Sequence, residues 1–377
     1  MISPSSLTSP AERVTPPPAG DGRGRRVVGS RQAAVLTVLA VLAVLSFLAT
    51  LAWGSVAIPL GDVVAILGGE EASRRTWEAI VMDLRLPRAI TAVFAGVATA
   101  LAGLVMQTLF RNALAEPYVL GVTSGASLGV GLVLLPQGAT AGLGAALLAA
   151  FAPLASIGVV AAAAIGALAV LLLMSAVAAR VQNLVIVLVA GIMVSAFLTA
   201  IVNVLVFFAR PEAVVAFTAW QFGTFQGVTM AQLPVLGGTV ALGVLLLALS
   251  TKQLNASLLG ERYAQSMGMS VRRLRLLAMA STALLAGAVT AFAGPIAFLG
   301  IAAPHLARGL LGSADHRVLI PGTALVGAVV ALAAGVFAQL PGTDAVLPLN
   351  AALALIGAPV VLRVLLRLNR TGAGFTV

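Results

Sequence analysis

Gly191, Ser195, Thr199 and Asn203 recur every fourth position in an otherwise apolar stretch, which places them along one face of a helix as a narrow polar seam. Such a seam has two uses. It can hydrogen-bond a solute crossing an apolar layer, or it can bond a neighbouring helix, a contact worth about 0.6 kcal/mol on average in membranes. Gln107 and Asn350 stand in similarly apolar surroundings. Arg85 and Arg88 lie three apart and share a helical face, suited to meeting carboxylates or to anchoring a helix end. His305 and His316 raise the question of a metal or haem, imidazole being a common ligand. Both fall at one end of an apolar stretch, where shaping the adjoining loops is the simpler role.

The absences are as informative. The sequence has no cysteine, so there is no disulfide or thiolate site. Its single lysine, Lys252, follows Thr251 rather than glycine, so a phosphate-binding loop of the Gly-Lys-Ser/Thr type is missing. All twelve acidic residues fall in expected loops, tails or helix ends, which removes the intramembrane carboxylates that proton or sodium coupling usually leaves. No catalytic residue and no metal ligand set is assigned. ATP hydrolysis, if it drives this protein, belongs to another chain.

What must position these groups is a membrane. With 60% hydrophobic and only 9% charged residues among 377, the chain cannot cover a water-facing surface. Runs of about 20 apolar residues, enough to cross about 30 Å of hydrocarbon, recur after residue 32. Hydropathy and Gly, Pro and charge punctuation predict ten spans near 33–53, 87–110, 119–135, 150–178, 184–208, 232–250, 274–294, 296–311, 318–340 and 348–367. The eighth follows Gly294-Pro295 and is short enough to be a partial crossing. Residues 138–151 are ambiguous. The first run resembles a secretory signal but exceeds the usual 7 to 15 residues of a signal core, so it is read as an uncleaved helix. Residues 1–32 form a basic, Pro-rich tail expected to be disordered, 33–370 an all-α transmembrane domain, and 371–377 a C-terminal tail. Ten crossings with both termini in the cytoplasm put most arginines inside, so the net charge of +10 reflects topology rather than nucleic-acid binding. The longest inner loop, 252–275, contains a short helical segment bracketed by Gly260 and Gly268, either a docking element for a separate motor or a solvated connector.

These residues carry a resemblance. Arg85-Leu86-Pro87-Arg88, Gln107, Arg111-Asn112-Ala113-Leu114-Ala115-Glu116-Pro117, Leu120-Gly121 and Gly125-Ala126 appear in order. Leu259-Gly260-Glu261 with Met267-Gly268, Gly294 through Gly300, Pro304-His305 with Arg308, Asp315-His316-Arg317, Leu347-Pro348 and Gly357-Ala358-Pro359 follow. The chain from residue 33 onward resembles FecCD-type permeases, the membrane subunits of ATP-binding-cassette importers for iron-siderophores, haem and cobalamin.

The resemblance implies a bacterial cytoplasmic-membrane protein paired with a second permease, in a homo- or heterodimer. Two cytosolic ATPases carrying ATP and Mg would dock below and an extracytoplasmic binding protein above. It implies no cofactor on this chain. It assigns Leu259, Gly260, Glu261, Ala264, Met267 and Gly268 to ATPase coupling and Arg85 and Arg88 to the binding protein. Gln107, Ser195, Thr199, Asn203 and Asn350 become candidates for the translocation path. The implied cargo is ferric iron-siderophore, with cobalamin or haem as the alternative; an ATP-independent carrier or channel is the reading from another class. The sequence departs from the family pattern at Gly335 and Gln339, where Asp and Arg are usual, and at Ala113 and Asn350, where Pro and Gly are usual.

Overall fold

The computed structural model describes residues 29–70, 72–136, 158–181, 183–266, 268–340 and 346–370, and every regular element among them is helical. The elements are α1 (Ser30–Ala52), α2 (Leu60–Leu67), α3 (Arg75–Phe110), α4 (Val122–Leu134), α5 (Val159–Arg180), α6 (Leu184–Phe208) and α7 (Pro211–Gln221). They continue as α8 (Leu233–Leu249), α9 (Thr251–Leu258), α10 (Glu261–Ser266), α11 (Val271–Ala293), α12 (Leu299–Leu311), α13 (His316–Ala338) and α14 (Leu349–Arg370). Helix α1 begins at Ser30, inside the expected tail; the rest of that tail up to residue 28, residues 371–377 and the ambiguous 138–151 lie outside the described residues.

Six helices are long and apolar enough to cross a membrane, and a seventh if α8 and α9, bent by 50° at their junction, count together. The bend has a local cause. Ser250 Oγ donates to the Leu246 carbonyl and Thr251 Oγ1 to the Ala248 carbonyl, back-bonding of the kind that bends helices. Of the remaining expected crossings, α4 and α12 have only 13 residues each, and the apolar part of α14 is Leu349–Pro359. Helix α7 was not anticipated.

Helix α3 is the centre of the bundle. Its 36 residues would run about 54 Å, longer than the hydrocarbon layer, and a π-helical turn at Ile80–Arg85 precedes Pro87 where the regular helix begins. Alanine and glycine let it be crossed closely. A Cβ on Gly96 would lie 2.4 Å from the Gly327 carbonyl oxygen of α13, and one on Gly327 2.3 Å from that of Gly96. Lower down, a Cβ on Gly103 would lie 1.9 Å from the Gly300 oxygen of α12. Helices α4 and α5 meet in the same way, Gly125 against Gly166 and Gly129 against Ala162, so these glycines serve backbone approach.

Two stretches outside the α-helices interrupt this packing, 111–121, which includes a 3₁₀ turn at Pro117–Leu120, and 294–298, and they lie side by side. His305 Nε2 is 2.8 Å from the Ala113 carbonyl oxygen, Pro117 abuts Gly300, and the Phe298 N–H donates to the Glu116 carboxylate. Irregular backbone at membrane depth survives only when protein satisfies it.

Candidate functional site

At one end of α3, Arg85 and Arg88 are only 6% and 8% exposed. Arg85 donates through Nη1 to the Leu51 carbonyl at 2.7 Å and through Nη2 to the Val56 carbonyl. Arg88 Nη2 donates to the Gly335 carbonyl at 3.0 Å, and the Gln339 amide oxygen, turned toward the guanidinium, accepts from the same nitrogen at 3.0 Å. The pair therefore ties α1, α3 and α13 together. A cavity of about 490 Å³, lined by Arg85, Arg88, Asp83, Gln226 and Gln339 among others, is the way an outside carboxylate would reach them.

At the other end, α9 and α10 form a compact unit beneath the bundle. Leu259 is 67% exposed between them, and Tyr263 is also exposed. Gly260 has φ +113° and Gly268 φ +82°, conformations that glycine adopts without strain. Ala264 is fully buried inside the unit. Glu261 opens α10, while Met267 lies outside the described residues. The unit is bonded to the bundle by Arg111, Asp315 and His316 from the motifs named above, together with Asn255, Ser257 and Thr108, which the sequence reading did not single out. Arg111 Nη2 donates to the Ser257 carbonyl at 2.6 Å, and Asn255 Nδ2 donates to Asp315 Oδ1 at 2.6 Å. Asn255 Oδ1 accepts from His316 N at 2.9 Å and lies 2.8 Å from His316 Nδ1. His316 Nε2 is 3.0 Å from Thr108 Oγ1. Burial opposes ionisation of Asp315, but the Arg317 N–H and the Asn255 amide, with the Arg317 charge alongside, outweigh it and hold the carboxyl below its usual value.

The path candidates separate into two groups. Gln107 has no exposure: its amide oxygen accepts from Arg308 Nη1 at 2.7 Å and its nitrogen faces the Gly300 and Ile301 carbonyls at 3.4 Å. It lines nothing in this conformation. Asn350 accepts from Ala297 N at 3.1 Å and donates to the Pro295 and Gln221 carbonyls at 2.8 and 3.2 Å, so it is a knot joining three segments. Ser195 packs on Gly121, its Oγ buried without a hydrogen-bond partner among the described residues. Thr199 and Asn203 are exposed on the uncovered face of α6, two turns and one turn before the exposed Phe207. The two histidines serve local structure as described, and no group of three metal-ligating side chains occurs among the described residues.

Residues 41–367 match the FecCD transport family. The chain belongs to that family. It is similar to the hemin transport system permease protein HmuU of Yersinia pestis, 32% identical over 78% of this chain and 85% of HmuU. It is also similar to the vitamin B12 import system permease protein BtuC of Salmonella paratyphi A, 34% identical over 84% of this chain and 94% of BtuC. Among solved structures, a metal-chelate type ABC transporter in an inward-facing conformation superposes with TM-score 0.76 at 26% identity, covering 89% of this chain and 99% of the other.

As a FecCD protein the chain is a multi-pass membrane permease, and its departures from the family pattern take on structural sense. Gly335 of α13 and Gln339, the residue that follows its last turn, meet Arg88, a neutral carbonyl and amide standing where charges are usual. Asn350, in place of the usual glycine, supplies three hydrogen bonds to backbone. Asn350→Leu removes them at similar volume and leaves one donor and two acceptors unpaired, so it is expected to destabilise the FecCD fold by about 2–3 kcal/mol. Thermal unfolding of the purified permease in detergent checks this; an unchanged midpoint would remove the knot from the account.

Proposed function

We propose that this FecCD permease is the membrane subunit of an ATP-driven importer that carries a metal chelate, ferric iron-siderophore in our reading, inward across the bacterial cytoplasmic membrane by alternating access. The observation that carries the ATP-driven part is the α9–α10 unit, whose exposed Leu259 and Tyr263 offer an apolar tip outside the bundle. In this reading the tip, with Gly260, Glu261, Ala264, Met267 and Gly268, docks on a pair of cytosolic ATPases that hold ATP and Mg; this chain binds no cofactor of its own and performs no catalysis.

The remaining parts follow from the same reading. The chain makes ten passages, with α4 and α12 as partial crossings and both termini inside. A second permease faces the uncovered side of α6, so that Thr199 and Asn203 border the path between the two. Ser195 joins them when the seam opens. A binding protein delivers cargo at the cavity above Arg85 and Arg88. ATP binding and hydrolysis shift the helices between two arrangements only through differential affinity for them. A path with few fixed charges suits a bulky chelate that keeps its own ligands.

Haem and cobalamin are also metal chelates, and the names of the HmuU and BtuC relatives favour them as the alternative cargo. Cells with and without this permease, given radiolabelled ferric siderophores, haem and cobalamin, distinguish the readings. Siderophore uptake that requires both the permease and ATP is the expected result. Permease-dependent haem or cobalamin uptake alone would replace the cargo, and uptake that persists without ATP would replace the mechanism.

A further inference from the structure

The docking unit is joined to the bundle through one small set of side chains, and these act on α3 and α13, two of the six helices long enough to span the membrane. Asn255, on α9, holds three groups of α13 at once: the Asp315 carboxylate, the His316 backbone N–H and the His316 ring. Asp315 in turn accepts from Arg317 N at 2.9 Å and so caps the first turn of α13. Because the Asn255 nitrogen is committed to Asp315, its oxygen is the atom that faces His316. An oxygen there accepts only, which fixes the proton on Nδ1 and leaves Nε2 to accept from Thr108. The Thr108 hydroxyl has two acceptors in reach, His316 Nε2 at 3.0 Å and the Leu104 carbonyl at 2.9 Å. His316 is 1% exposed and Thr108 4%, so water does not compete for these bonds.

Above this joint, α3 and α13 stay locked. They share the Gly96–Gly327 backbone crossing midway and the Arg88–Gly335 bond at the far end. From Arg88 to Thr108 is about 30 Å of helix, the depth of the hydrocarbon layer. Three fastenings at three depths make the pair move as one body, and its inner end is grasped by Asn255.

We propose that the α3–α13 pair is the beam that carries motion of the docking unit to the outer cavity beside Arg85 and Arg88, and that Asn255 is the positioning residue that couples the docking unit to it. This rests on the ATP-driven reading above. A loose joint lets the docking unit follow the ATPases without tilting the beam, so hydrolysis continues with less cargo moved.

The experiment uses the full complex, permease with its ATPases and binding protein, in proteoliposomes, with cargo imported and ATP hydrolysed measured in the same vesicles. Asn255→Asp sets a second carboxylate against Asp315 and is expected to lower import per ATP at least fivefold. Adding Asp315→Asn exchanges the two groups: residue 255 still accepts from His316, and because Asp315 Oδ1 receives both the Asn255 and the Arg317 N–H bonds, the new amide rotates to keep the cap through its oxygen while its nitrogen donates to residue 255. The exchanged pair is expected to recover at least half of the wild-type ratio. Thr108→Val, at the other side of the histidine, is expected to lower the ratio as Asn255→Asp does, and the combination to be no worse than either alone. A ratio unchanged in the single variants, import and hydrolysis falling in parallel, or failure of the exchange to restore the ratio would each overturn the proposal. If the wild-type complex imports nothing in response to ATP, the transport reading falls first and this inference with it; ATP-driven import in the wild type with an unmoved ratio sinks the inference alone.

Discussion

Gly103→Val is expected to leave almost no folded permease in the membrane. A Cβ at this position would lie 1.9 Å from the Gly300 oxygen, 2.5 Å from its carbonyl carbon and 2.7 Å from its Cα, all backbone atoms of α12. No rotamer change relieves that. The helices must separate, and α12 is held in place a turn away by Gln107, which faces the Gly300 and Ile301 carbonyls and accepts from Arg308. Separation therefore breaks a buried polar cluster as well as the apolar contact. Overpacking usually costs about 1–3 kcal/mol where side chains can adjust; with backbone on the opposing side and a polar cluster lost, more than about 4 kcal/mol is expected, a large part of typical stability. Gly309→Val is the control, because no atom lies within 4 Å of a Cβ there and it lies on α12, the helix that Gly103 faces. Yield of monodisperse protein after detergent extraction reads the effect. A normal yield and melting midpoint for Gly103→Val would show that this crossing is not rigid.

Leu259→Asp is expected to reduce ATP-dependent uptake at least tenfold while the isolated permease melts as the wild type does. The side chain is 67% exposed, so no packing within this chain depends on it. In the proposed docked complex it would be the apolar centre of a contact, where a buried unpaired carboxylate is strongly unfavourable and anchor residues carry much of the binding energy. Loss of ATPase co-purification with the variant would locate the defect at docking. Gly260→Arg is a poorer probe of the same surface, because φ +113° strains any residue with a side chain and mixes a backbone effect with a contact effect. Full uptake by Leu259→Asp would require the ATPases to dock elsewhere.

How far the sequence alone reaches can be judged helix by helix. The span expected at 184–208 is α6, Leu184–Phe208, and that expected at 318–340 is α13 within two residues at each end, because charge and proline bound uniform apolar runs there. Helix α5 runs from Val159, and residues 150–157 of the span expected there lie outside the described residues. Residues 211–221 form α7 although they lack the length of a span, and α4 and α12 lack it too; hydropathy cannot tell a half-crossing from a whole one when protein replaces lipid around it. Spacing put Arg85 and Arg88 on one face but said nothing of depth, and it is depth that turns them from surface charges into internal ties. The same limit applies to Gln107 and Asn350, whose partners are backbone carbonyls and an amide N–H, groups present at every position and therefore invisible in side-chain patterns. The joint of Asn255, His316 and Thr108 draws single polar residues from three separate segments. No local period marks it.

The brevity of α4 and α12 also bears on how the chain is made. Thirteen residues of helix reach about 20 Å, short of the hydrocarbon layer, and α12 carries Pro304, His305 and Arg308 within that length. Neither segment can leave the insertion machinery and settle in lipid by itself. Each must remain sheltered until later helices emerge: α4 until α5 and α6 flank it, α12 until α13 arrives to receive it against α3. Biogenesis of this protein is therefore a matter of helices admitted in groups, and a nascent chain halted after α12 would leave its partly inserted end exposed to quality-control proteases.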